Sequence, residues 1–141
     1  LSLYVDTSII VAALTTEARS IQARHWLREH RADGLSISDW VITEVSSALS
    51  IKVRIGALTP ATQAASLQQL ARMQRGLVRL LTVDPSFFRE AARIADRHET
   101  GVRAGDALHL AICAHFGRKL CTFDKDQANA GRSIGIRTTL L

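Results

Sequence analysis

Apolar and polar positions alternate at the start of the chain, Leu1-Ser-Leu-Tyr-Val5, with the period of two expected of a strand. The alternation stops at Asp6-Thr7-Ser8, whose hydroxyls and carboxylate can cap a helix, and an apolar helix from Ile9 to Leu14 follows. Glu17 to His30 predicts a second helix, with Ile21 and Trp26-Leu27 facing inward and Arg24, Arg28 and Arg31 on an outer stripe. Leu35 to Ser38 reads as a short strand and leads into a helix from Asp39 to Ile55, stopped by Gly56. Thr59-Pro60 pairs a capping residue with proline at the first helical position, and the helix it opens runs to Gln74 before Gly76.

Val78 to Val83 is a further strand, after which Asp84-Pro85 repeats the helix-start signal for a segment ending near His98 and Gly101. Ala104 to Phe116 predicts a strongly apolar helix ended by Gly117, and Lys119 to Phe123 a strand that ends at Asp124. The tail from Ile134 to Leu141 is read as a last strand. Strands separated by helices throughout predict an α/β fold with a mainly parallel central sheet, covered on both faces, in one domain spanning residues 1–141. Ligands of such sheets bind beyond the carboxyl ends of the strands. Asp6 and Asp124 stand at two such ends.

Composition narrows the function classes. Apolar residues make up 47% of the chain, yet no apolar run approaches the roughly 20 residues of a membrane span. Leu1 to Val5 is too short for a signal peptide's apolar region and Asp6 interrupts it, so the expectation is a cytoplasmic protein with no membrane partner. Cys113 and Cys121 sit in apolar surroundings without a CxxC pair, which predicts buried free thiols. With the histidines scattered at 25, 30, 98, 109 and 115, they do not spell a zinc site, so any metal chemistry would run on oxygen ligands.

The chain carries 18 Lys and Arg against 13 Asp and Glu, a formal charge of +5. Such an excess suits a polyanionic partner, above all nucleic acid, although 15 of the 18 are arginine, which a coding bias would also produce. Against this basic background, Asp6, Glu44, Asp106 and Asp124 have no evident local partner. Asp6 is either the cap of the first helix or, because Thr7 and Ser8 also offer capping hydroxyls, a carboxylate free to face the end of the sheet, with Ser8 supporting it. Glu44 lies among Val41, Val45 and Ala48 at helical spacing with no cation at i±3 or i±4, so it protonates or meets a cation from elsewhere in the fold. Asp106 sits in the first turn of its helix, where the macrodipole favours negative charge, with Arg103 as a possible i−3 partner and His109 one turn on as a core residue or a support behind the site. Asp124 follows a strand in a loop it shares with Asp126, and either acid also suits an ordinary surface turn.

Taken in order, strand-Asp-Thr-Ser, then Thr43-Glu-Val45 in a helix, then Gly105-Asp-Ala-Leu-His-Leu-Ala111, then strand-Thr122-Phe-Asp-Lys-Asp126, the series resembles a PIN-domain nuclease and, in size and motif wording, the VapC toxins of bacterial toxin–antitoxin pairs. The resemblance covers nearly the whole chain and implies a three-layer α/β/α fold. It implies that Asp6, Glu44, Asp106 and Asp124 bind Mg²⁺ or Mn²⁺, with Ser8 and Thr122 as supporting hydroxyls and Asp126 at a position acidic in some members. It further implies metal-dependent RNA cleavage, a homodimer and a cognate antitoxin that blocks the site. A divalent ion there would supply an activated water for in-line attack on a phosphodiester.

Arg24, Arg28 and Arg31, Arg89, Arg93 and Arg97, and Lys125 are available for phosphate contacts or as solvated faces, and none is assigned to substrate. Only 5% of residues are aromatic, so no stacking platform for single-stranded bases is evident. Two rival readings use the same acids: another Mg²⁺-dependent phosphoryl-transfer enzyme, such as a phosphatase with an Asp nucleophile, and a PIN-like module that binds RNA or a partner without cutting it.

Overall fold

A computed structural model describes residues 2–141, so Leu1, the first residue of the predicted opening strand, lies outside the described residues. Strand β1 (Leu3–Val5) is buried at every position. That differs from the one-sided burial an alternating pattern suggests, and the reason is position: a central parallel strand is covered on both faces. Its polar member, Tyr4, tolerates this because its hydroxyl is hydrogen-bonded.

Helices α1 (Thr7–Leu14) and α2 (Ser20–Glu29) lead to β2 (Leu35–Ser38), and α3 (Asp39–Arg54) and α4 (Pro60–Gly76) lead to β3 (Arg79–Leu81). Helices α5 (Pro85–Asp96) and α6 (Ala104–Phe116) precede β4 (Lys119–Thr122), and α7 (Lys125–Ser133) precedes β5 (Thr138–Leu140). The sheet is parallel throughout, in the order β3-β2-β1-β4-β5, with Leu3 opposite both Leu35 and Lys119. The chain thus steps outward from β1 to β2 and β3, then returns to the other side of β1 for β4 and β5. Crossovers of the usual right hand put the helices of these two runs on opposite faces, giving three α/β/α layers. The reversal makes the carboxyl ends of β1 and β4 the place where a crevice opens.

Side-chain caps start five of the helices. Asp6 caps α1, Ser38 caps α3, Thr59 caps α4, Asp84 caps α5 and Asp124 caps α7. Three of these caps, Asp6, Ser38 and Asp124, lie at or next to the exits of β1, β2 and β4.

Three local expectations are corrected. Helix α2 begins at Ser20 rather than Glu17, because Ser20 Oγ donates to Thr15 O and accepts from Glu17 N. Its buried stripe is Ser20, Ala23 and Leu27, which turns Ile21 to solvent at 79% exposure. The segment after Asp124, which the sequence presents as a loop, forms helix α7. No large apolar side chain marks α7, whose buried positions are Gln127, Ala128, Ala130 and Gly131. The tail strand shrinks to Thr138–Leu140, since Ile134 and Ile136 lie in the turn out of α7.

Among the described residues no helix is long and apolar enough to cross a membrane. Cys113 and Cys121 are both free and buried, and burial pushes the Cys121 thiol up to about 12. Neither thiol is therefore expected to react with iodoacetamide in the folded protein at pH 8, and both should react in urea; mass spectrometry reads the difference. A Cβ on Gly131 would stand 3.0 Å from Thr138 Oγ1 and 3.1 Å from Leu110 Cδ2. Gly131→Ala should therefore destabilise the fold by about 1–3 kcal/mol in urea titrations.

Candidate active site

The turn after β1, the second turn of α3, the first turn of α6 and the turn after β4 each deliver one acid to the carboxyl end of the sheet. Asp6 is 4% exposed and held on both oxygens. Its Oδ1 accepts from Ser8 N at 3.1 Å and Ser8 Oγ at 2.6 Å, and its Oδ2 accepts from Thr122 Oγ1 at 2.6 Å. Both hydroxyls also bridge to the exit of β4: Ser8 Oγ accepts from Phe123 N at 3.0 Å, and Thr122 Oγ1 accepts from Asp124 N at 2.9 Å. Burial pushes the Asp6 carboxyl above its usual range, and the pull of His109 and these hydrogen bonds only partly offset the rise.

Asp106 is half-buried in the first turn of α6. Among the described residues its carboxylate accepts no hydrogen bond, and Arg103 forms no ion pair with it. Burial first, then the charge of Asp124, raise its carboxyl above the ordinary range; His109 opposes this, while Glu44 and Asp6 add to it. Asp106 is thus the acid on which the charges of Asp124, Glu44 and Asp6 all bear.

Glu44 does have a partner, although no local one. Its Oε1 accepts from Thr7 Oγ1 at 2.6 Å and pairs with His109 Nε2, 65 residues away in sequence. Burial pushes the carboxyl up, but the His109 hydrogen bond and charge and the Thr7 hydroxyl together leave it below its usual range. The partner that reaches Glu44 from elsewhere in the fold is thus a histidine. Oε2 lies against the first turn of α6, where a Cβ on Gly105 would stand 3.2 Å from it.

Asp124 divides its work. Oδ1 accepts from Asp126 N at 2.9 Å and Gln127 N at 3.1 Å as the cap of α7, leaving Oδ2 without a bond among the described residues. Asp126 is exposed and contributes its backbone N–H.

The chemistry of this donor set is that of a hard divalent cation: four carboxylates, one unbonded and repelled by its neighbours. Among the described residues no three Asp, Glu, His or Cys side chains close around a point by themselves. A divalent ion held here would therefore complete its shell with waters or substrate oxygens.

Of the basic stripes, Arg24 serves the fold by donating to Ala13 O and Thr15 O, and Arg93 and Arg97 pair with Glu90 and Glu99. Arg19, not singled out by sequence, lies 4.7 Å over the Phe123 ring and donates to Phe123 O, beside Asp124. The contributions of Thr7 and Tyr4 also escape sequence reading, because their partners come from α3, β2 and α6.

The PIN domain sequence model matches residues 3–133. The ribonuclease VapC23 of Mycobacterium tuberculosis is 29% identical over 132 residues, covering 93% of this chain and 99% of that protein. Among solved structures, Mycobacterium tuberculosis VapC20, a sarcin-ricin loop cleaving toxin, superposes with a TM-score of 0.74 at 24% identity, over 92% of this chain and 95% of its own. VapBC2 from Rickettsia felis, bound to a DNA fragment from its promoter, gives 0.74 at 12% identity, over 100% and 99%.

Thr122 is fully buried, and its hydroxyl lies 2.6 Å from Asp6 Oδ2 and 3.1 Å from Gln127 Oε1, the shorter contact taking its single proton. Thr122→Val should cost about 1.5–3 kcal/mol in urea unfolding, the range for a hydrogen bond to a charged group, and Thr122→Ser should recover most of it.

Proposed function

We propose, on the premise that this chain belongs to the PIN-domain family, that it is a VapC-type toxin, an endoribonuclease that uses Mg²⁺ or Mn²⁺ and is restrained by a cognate antitoxin. The observation that carries the reading is the gathering of Asp6, Glu44, Asp106 and Asp124 from four separate elements, with the Asp106 carboxylate unbonded among like charges. A binding module has no evident need for such a cluster, whereas a nuclease does. When bound, the divalent ion supplies an activated water and charge neutralisation at a phosphodiester.

The chain's own residues have distinct parts. Asp6 is a rigid ligand, oriented by Ser8 and Thr122, and Asp106 is the carboxylate with most freedom to meet a cation. Glu44 is held ionised by His109 and Thr7, and Asp124 offers the oxygen not used in capping. Asp126 adds negative charge at the rim. Arg19, steadied on Phe123, and exposed Lys125 stand close enough to this end of the sheet to hold the RNA backbone, a contact that weakens with salt and carries little sequence information.

The antitoxin belongs to this reading because solved relatives of the same fold include the VapBC2 complex. A homodimer acting in the cytoplasm completes it. Light scattering of the antitoxin-free protein should give twice the chain mass.

Incubated with total cellular RNA and Mg²⁺ or Mn²⁺, the purified chain should cut, and EDTA should stop it. Asp6→Asn and Asp106→Asn should each slow cleavage by more than about 100-fold, beyond the loss typical of residues one step behind a metal. Intact RNA across a broad panel would leave the non-cutting, RNA- or partner-binding reading. Cleavage that survives both substitutions would move the site elsewhere.

A further inference from the structure

Behind Glu44 runs a buried line of hydrogen bonds that crosses the core and ends on Ser38, the cap of α3. Tyr4 Oη, at the centre of β1, is 2.7 Å from both Ser38 Oγ at the end of β2 and His109 Nδ1 on α6. His109 Nε2 meets Glu44 Oε1 on α3. Tyr4 and Ser38 are 0% exposed and His109 is 2% exposed, so no part of the line is open to water.

Glu44 Oε1 accepts from His109 Nε2, which leaves Nδ1 to pair with the Tyr4 hydroxyl. The hydroxyls of Tyr4 and Ser38 can each donate or accept, so the line is complete with its protons running either way, and Ser38 Oγ also accepts from Val41 N. Thr7 donates to Oε1 from the other side.

We propose that His109 is the positioning residue of this site: backed by Tyr4 and Ser38, it clamps Glu44 Oε1 and leaves Oε2 presented beside the first turn of α6, next to Asp106. The clamp acts through Glu44 and touches no substrate. Gly105 belongs to the same device, since a side chain there would press on Oε2. The inference rests on the metal-dependent ribonuclease reading for its purpose, and it makes its own demand on cation affinity.

Three substitutions separate positioning from packing. Gln at position 109 places an amide N–H near the position of Nε2 and can still donate to Glu44. Asn is too short for that but can still face Tyr4, and Leu fills the core without donating. In the full, antitoxin-free chain, Mn²⁺ affinity is measured without RNA by electron paramagnetic resonance, beside cleavage kinetics and thermal unfolding. His109→Leu and His109→Asn should weaken Mn²⁺ binding by about 10- to 100-fold and lower kcat similarly with little change in KM, while His109→Gln stays within about threefold.

Folded Leu or Asn variants that bind Mn²⁺ as the unmodified chain does would overturn the proposal, as would a Gln variant as weak as Asn. If the Leu variant does not fold, the contrast between Gln and Asn decides. Loss of Mn²⁺ affinity in the Asn variant with RNA left uncut by the unmodified chain would sink the ribonuclease reading and keep the clamp. Active cleavage indifferent to position 109 would do the reverse.

Discussion

A carboxylate buried at the exit of a central strand must be compensated, and the way Asp6 is compensated organises this end of the molecule. Its two oxygens take hydroxyl protons from Ser8 and Thr122, and those hydroxyl oxygens in turn accept the N–H groups of Phe123 and Asp124. One acid thereby ties the exit of β1 to the exit of β4, two strands already paired in parallel register. The tie sits where the strand order reverses, so the geometry of the crevice and the orientation of Asp6 have the same cause.

The remaining acids are held with decreasing firmness. Glu44 has two donors on one oxygen, Asp124 spends one oxygen as a helix cap, and Asp106 is unbonded among the described residues. Satisfied hydrogen bonds fix a carboxylate's direction but leave its charge uncompensated by a cation, and repulsion then accumulates on the least supported member. On the proposed reading, a divalent cation would relieve that repulsion and let a basic protein tolerate an acidic centre.

Much of this was legible locally. The period-two run at β1, the Thr59-Pro60 and Asp84-Pro85 starts and the glycine stops mark elements within a few residues of where they lie. The acids at strand exits and in the first turn of α6 follow from the same patterns. Where reading failed, the signal was absent or local preference was outvoted. Helix α7 packs through small residues and Gln127, so no apolar stripe announced it. Ile21 reads as a core residue, but α2 buries the stripe Ser20, Ala23 and Leu27 and leaves Ile21 on its solvent side.

The sequence by itself determined the order of strands and helices apart from α7, the parallel α/β class and which acids lack a neighbouring cation, because caps, breakers and hydrophobic periods act over a few residues. Only the tertiary structure decided who answers those acids. Glu44 finds His109 across 65 residues, His109 finds Tyr4 across 105, and Asp6 finds Thr122 across 116. No local pattern encodes such pairings, since they exist only once β1 lies between β2 and β4 and α3 and α6 close over its end.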